Sequence, residues 1–173
     1  MNRKLKIEFL KACERGDLHS AKQYLGATLI PETSELDAGW TPLMRAAGWG
    51  GNPELVSLLI NLGVELELKE PEFGYTALAC AADEGNIQII EVLVNAGCDI
   101  DHQDFEGLTA LMSSIVSNQL ESVQALVRLG ANLNIRDKVG RTAEDIAAGL
   151  EHEAIINFFK QYEVGGKGHL TMG

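Results

Sequence analysis

Four short segments of this chain repeat one another. Gly39-Trp40-Thr41-Pro42-Leu43 returns as Gly74-Tyr75-Thr76-Ala77-Leu78, as Gly107-Leu108-Thr109-Ala110-Leu111 and as Gly140-Arg141-Thr142-Ala143, with the leading glycines 35, 33 and 33 residues apart. Gly63, Gly97 and Gly130 form a second series in step with the first. A period of this length belongs to stacks of small supersecondary units, none of which can bury its apolar face alone. With 173 residues the chain is long enough for a sizeable core, and one domain is expected.

Each unit reads as two helices and a connector. Thr41 is placed to cap a helix whose first residue is Pro42, where the missing N–H does no harm. Thr142 and Asp145 have capping-box spacing. After the short first helix come Gly50-Gly51, Gly85 or Asn118, residues that tolerate a left-handed turn. A second helix follows, with apolar residues three and four apart: Leu55, Val56, Leu58 and Leu59; Ile87, Ile89, Ile90, Val92 and Leu93; Leu120, Val123, Leu126 and Val127. The second glycine series then closes these helices. The connectors alternate, as in Val64-Glu65-Leu66-Glu67-Leu68, Cys98-Asp99-Ile100-Asp101 and Ala131-Asn132-Leu133-Asn134-Ile135, which fits an extended hairpin better than a helix.

Helix, turn, helix and extended finger at this period resembles the ankyrin repeat. The family pattern of Gly-x-Thr-Pro-Leu-His, Ala-Ala, Gly, an aliphatic second helix and Gly-Ala-Asp-x-Asn is matched at Gly39–Leu43, at Ala46-Ala47 and Ala81-Ala82, and almost completely at Gly130-Ala131-Asn132-Leu133-Asn134. The matches run over roughly residues 5–162. The resemblance implies an all-α solenoid of helix-turn-helix units with short β-hairpin fingers, forming a single domain over 1–162. Within it, 1–36 is an N-terminal cap and connector, 37–69, 70–103 and 104–136 are full repeats, 137–162 is a C-terminal cap, and 163–173 is a flexible glycine-rich tail. The caps keep the second-helix pattern but interrupt it with polar residues, as a solenoid end facing water requires.

The departures from the pattern are local. The family's His after Thr-Pro-Leu is Met44, Ala79, Met112 and Asp145 here, so its usual hydrogen bonds must be replaced. Residues 37–74 hold two extra residues, one near Gly50-Gly51 and one in the 64–73 loop. Ser113-Ser114-Ile115 stands where the small alanine pair is expected.

Composition limits function. The chain has 14 Lys and Arg against 25 Asp and Glu, a net charge of -11. That argues against counterion-releasing contacts with nucleic acid and against an anionic membrane surface. No stretch has the length of a membrane span, and charges at Glu8, Lys11, Glu14 and Arg15 break up any signal-peptide core, so a cytoplasmic protein is expected. Cys13, Cys80 and Cys98 form no CxxC pair and read as reduced apolar residues. No GxSxG, Walker loop, HExxH or dinucleotide-binding glycine turn is present. A non-catalytic chain without cofactor or metal is expected; the alternative is a small enzyme or metal-dependent module using the 99–106 carboxylates Asp99, Asp101, Asp104 and Glu106.

In the ankyrin family, partners dock on the finger tips and the exposed side of the first helices. Carrying those positions over gives a candidate concave face containing Trp40 and Trp49, then Glu72, Phe73, Tyr75, Asp83 and Glu84, then Phe105, Glu106 and Leu108, continued by Val116, Ser117, Lys138, Val139, Arg141 and Leu150. Five of the ten aromatic residues fall in it. Either they form an interaction face, of the kind in which hot spots are enriched, or they pack between neighbouring fingers. Tyr75 is expected to lie between the two indoles.

Charge adds to this. Between residues 46 and 127 there are thirteen acids and a single base, Lys69. Eight of the acids, Glu65, Glu67, Glu70, Glu72, Asp99, Asp101, Asp104 and Glu106, sit in two successive fingers. Either they only solubilise the chain, or their field favours a basic protein or peptide partner. A monomeric adaptor, scaffold or inhibitor is the expected function.

Overall fold

The computed structural model describes residues 3–25 and 39–164. Among the described residues, ten helices form five pairs: α1 (Arg3–Glu14) with α2 (Leu18–Leu25), α3 (Pro42–Arg45) with α4 (Pro53–Asn61), α5 (Ala77–Asp83) with α6 (Ile87–Asn95), α7 (Ala110–Val116) with α8 (Leu120–Arg128), and α9 (Ala143–Gly149) with α10 (Glu153–Val164). First helices pack on first helices along the stack, and second helices on second helices. The connector around Pro31 and the glycine-rich segment 165–173 lie outside the described residues; α10 reaches two residues into the segment read as tail.

Local chemistry sets the start of each first helix. Thr41, Thr76, Thr109 and Thr142 have extended backbone, and their hydroxyls accept from the N–H three residues on. The Asp145 carboxylate returns a bond to the Thr142 N–H at 2.9 Å, completing the capping box. Met44 substitutes weakly for the missing histidine, its Sδ lying 3.5 Å from the Thr41 N–H.

The second helices bury the phase expected of them: Leu55, Val56 and Leu59 in α4, Ile89, Ile90 and Leu93 in α6, Val123, Leu126 and Val127 in α8. Leu58, Ile87, Val92 and Leu120 are half-buried at the edges of that stripe. The apolar residues form one continuous core from Phe9 to Phe159, as a stack requires when each unit covers its neighbour.

The fingers differ from the hairpins expected. Among the described residues they form turns without regular strands. The two-residue alternation survives nonetheless: Val64, Leu66 and Leu68 are half-buried between exposed Glu65, Glu67 and Lys69. Each of the three described finger tips is closed by one carboxylate. Glu70 accepts from the N–H groups of Glu72, Phe73 and Tyr75; Asp104 from Glu106 and Leu108; Asp137 from Val139 and Arg141. Neighbouring tips join through Phe105 N–H to the Phe73 carbonyl at 2.8 Å and Lys138 N–H to the Glu106 carbonyl at 3.0 Å. The first of these needs Gly74, since a Cβ there would lie 2.9 Å from the Phe105 nitrogen.

Candidate interaction face

The extra residue near Gly50-Gly51 has a definite structural form. Between Thr41 and Asn52 the chain has one residue more than between Thr109 and Gln119. The surplus is taken up by one π turn, Ala46–Gly50, that continues α3 and ends at Gly51 in the left-handed region (φ 60°). Such turns are single-residue insertions that bulge a helix. The Asn86 amide of the next unit donates to the carbonyls of Ala47 (2.8 Å) and Gly48 (2.6 Å) and so holds the turn.

Trp49 rides on this π turn and is 47% exposed. Its ring meets that of Trp40 directly, centroids 4.8 Å apart and planes 38° apart, and the Arg45 guanidinium lies 5.7 Å from its centroid. Arg45 itself is buried and paired with Glu14 at 2.8 Å. Tyr75 does not lie between the indoles, as expected from the sequence. It is half-buried and stacks on Phe73, centroids 5.8 Å apart. The reason is the widened 70–75 turn, which sets Phe73 and Tyr75 side by side.

Trp40, Trp49 and Tyr75 still line one cleft, of about 60 Å³, together with Gly48, Ala79, Cys80, Asp83, Glu84 and Ser113. Gly48, Ala79, Cys80 and Ser113 are buried and make its floor; Trp49, Asp83 and Glu84 are exposed and make its rim. The only charged residues lining it are Asp83 and Glu84. Asp83 accepts a short bond from the Ser117 hydroxyl. Burial pushes the Cys80 thiol up to about 12, and the Asp83 and Glu70 charges push the same way. Burial, then Asp104 and Asp83, likewise raise the Tyr75 phenol. The cleft is apolar within and negative at its mouth.

The remaining candidates divide. Glu72, Phe73, Phe105 and Glu106 are exposed at finger tips, whereas Leu108 is half-buried against the core. Lys69, the lone base of the acidic region, sits 5.6 Å from the Phe105 ring centroid. Glu70 is 1% exposed, and Asp104 is spent on its turn, so these two finger acids shape backbone rather than present charge. Two more of the 99–106 carboxylates are similarly engaged: Asp99 accepts from the Asp101 N–H and Asp101 from the Asn132 N–H. Among the described residues, no three His, Cys, Asp or Glu side chains are grouped to hold a metal.

Ser113 was visible in the sequence as a departure from the alanine pair but carried no functional signal, because nothing local indicates that it reaches the cleft of the preceding unit. Its hydroxyl is buried without a hydrogen-bond partner.

The fold and the repeating face are those of ankyrin repeats, and comparison with known proteins agrees. The family described as ankyrin repeats (3 copies) matches residues 9–104 and 89–166, and the chain belongs to it. Human ankyrin repeat domain-containing protein 63 is 31% identical over 160 residues, covering 86% of this chain and 41% of that protein. A putative ankyrin repeat-containing protein of Treponema pallidum is 31% identical over 111 residues, 64% of this chain and 37% of that one. The rat nuclear factor NF-kappa-B p105 subunit is 33% identical over 148 residues, 74% of this chain and 15% of its own length. The chain thus spans about two fifths, or less, of the length of these curated relatives. Ankyrin repeats are in general protein-protein interaction modules and typically non-catalytic. No helix among the described residues is long and apolar enough to cross a membrane.

Proposed function

We propose that the chain is a non-catalytic binding module, an adaptor, scaffold or inhibitor, that docks a basic protein or peptide on its finger tips and first-helix ends. One observation carries the reading. Among the described residues, the exposed large hydrophobics are Trp49, Leu62, Phe73, Phe105, Val116, Val139 and Leu150. Six of these seven fall in the two rows that line this face, three at finger tips and three at first-helix ends; Leu62 alone follows a second helix. Burial in the stack would have removed such residues from water, and an unused surface would have scattered them. Acids at Glu72, Asp83, Glu84 and Glu106, in no ion pair among the described residues, supply the charge that steers a basic partner.

The reading takes the chain to be a cytoplasmic monomer that binds neither nucleic acid nor membrane. The metal-dependent alternative has less support, since three of its four carboxylates, Asp99, Asp101 and Asp104, already accept backbone N–H bonds.

The test places a photo-crosslinking residue in turn at Trp49, Phe73, Val139 and Leu62 and recovers crosslinked protein from the native host. One partner crosslinked from the first three positions and not from Leu62 supports the reading. Crosslinking confined to Leu62, or a partner recovered equally from all four, defeats it.

A further inference from the structure

Resting on that reading, we infer that the cleft between the second and third units receives one unmodified lysine side chain of the partner, with its alkyl stem against the indoles and Tyr75 and its ammonium on the Asp83 and Glu84 carboxylates at the rim. Size and charge each bear on the occupant.

The cleft offers about 60 Å³. A water-sized position takes roughly 10–15 Å³, so there is room for about four or five heavy atoms in a line. A lysine beyond Cβ has four. An arginine has six heavy atoms beyond Cβ, and its planar fork requires more width.

The charge is one-sided. Asp83 and Glu84 are exposed at the rim, and neither forms an ion pair among the described residues. Arg45 lies behind Trp49, where Glu14 neutralises it. The aromatic walls supply negative π faces, which attract ammonium groups. The protein contains one example of that contact already, Lys69 over Phe105.

Ser113 closes the floor of the cleft: it is 5% exposed, and its hydroxyl is shut off from solvent. The ammonium is therefore held by the carboxylates at the rim.

The probe is a nine-residue Gly/Ser peptide with a central lysine, alongside counterparts carrying arginine, trimethyllysine or norleucine. Each is titrated into the uniformly 15N-labelled full chain. The readout is the indole N–H resonances of Trp40 and Trp49, the only tryptophans. The lysine peptide should shift both indoles saturably in the millimolar range and should weaken as salt rises. Asp83→Asn with Glu84→Gln should weaken it about tenfold with unchanged melting. Equal saturation by norleucine, tighter binding of arginine or trimethyllysine, or no saturation below about 10 mM overturns the lysine assignment. The crosslinking experiment reports separately: a partner crosslinked on the face with no lysine response overturns only this inference, whereas no crosslinking from the face overturns the wider reading.

Discussion

Residues 39–75 and 107–141 are built on one plan and differ by two residues in the spacing of their leading glycines, 35 against 33. In the later stretch α7 ends in an ordinary turn at Asn118 and the finger closes through Asp137, whose N–H bonds the Arg141 carbonyl. In the earlier one each extra residue changes the surface. The first makes the π turn that carries Trp49 outward. The second widens the finger turn, so that the Glu70 N–H bonds the Tyr75 carbonyl five residues on rather than four. A glutamate, one methylene longer than the aspartates at 104 and 137, spans the wider turn. One aromatic pair sits at each insertion, Trp40 with Trp49 at the first and Phe73 with Tyr75 at the second. Departure from the repeat, more than the repeat itself, marks where this chain has acquired a distinctive surface.

The second helices should not distinguish the unit that holds the insertions from the regular unit after it. Leu59 and Leu93 are buried at equivalent places in α4 and α6, and truncating either to alanine should remove about 2–5 kcal/mol of stability. Glu91→Ala, which breaks only an exposed pair with Arg128 at 3.0 Å, should lose less than about 1 kcal/mol. Urea unfolding of the three variants checks this; equal losses would contradict the common core.

The widened turn should matter next. Glu70→Ala leaves the N–H groups of Glu72, Phe73 and Tyr75 without their acceptor, and about 1–3 kcal/mol should be lost. Glu70→Asp should recover only part of this, because the shorter arm fits the four-residue turn. Full recovery would show that the extra residue imposes no reach.

The regular turn has its own signature in acid. Burial raises the Asp137 carboxyl, but the Arg141 N–H and guanidinium and the Val139 N–H more than offset it, so the group titrates below the ordinary aspartate value. A carboxyl depressed in the folded state stabilises above its unfolded pKa, and that contribution disappears as pH falls through the folded value. Asp137→Asn should therefore lower the melting temperature at pH 7 by about 2–4 °C. The gap should close as pH drops below about 4. A gap that persists at pH 2 would mean the carboxylate charge is not what the turn uses.

The sequence made the five pairs legible because glycine spacing, threonine caps and the aliphatic stripe of each second helix are local signals, repeated often enough to confirm one another. It also located both insertions. It could not say that one would become a π turn, since that depends on Asn86 from the next unit reaching Ala47 and Gly48. Nor could it separate Glu70 from Glu72, identical residues two apart, one closing a turn and the other facing water. The cleft was half legible: Trp40, Trp49, Tyr75, Asp83 and Glu84 came from the resemblance, whereas Ser113 reaches it from a unit away.

A small effect on stability should come from the most conspicuous residue. Trp49→Ala removes a tilted contact with Trp40 worth about 0.5–1.5 kcal/mol in a fully packed pair. Trp49 is 47% exposed, so the loss should be about 1 kcal/mol or less. Quenching by acrylamide sharpens the point: Trp40→Phe should leave a readily quenched indole at 49, and Trp49→Phe a protected one at 40. Deleting Gly51 should restore the spacing of the later units, with Gly50 taking over the left-handed turn as Gly85 does after α5. The π turn then has no residue to absorb. The deletion should leave the melting temperature close to that of the parent while abolishing the near-ultraviolet dichroism of the tilted indole pair. If Trp49→Ala instead unfolds the chain as Leu93→Ala is expected to, the π turn is a structural keystone between the first and second units and its tryptophan is core.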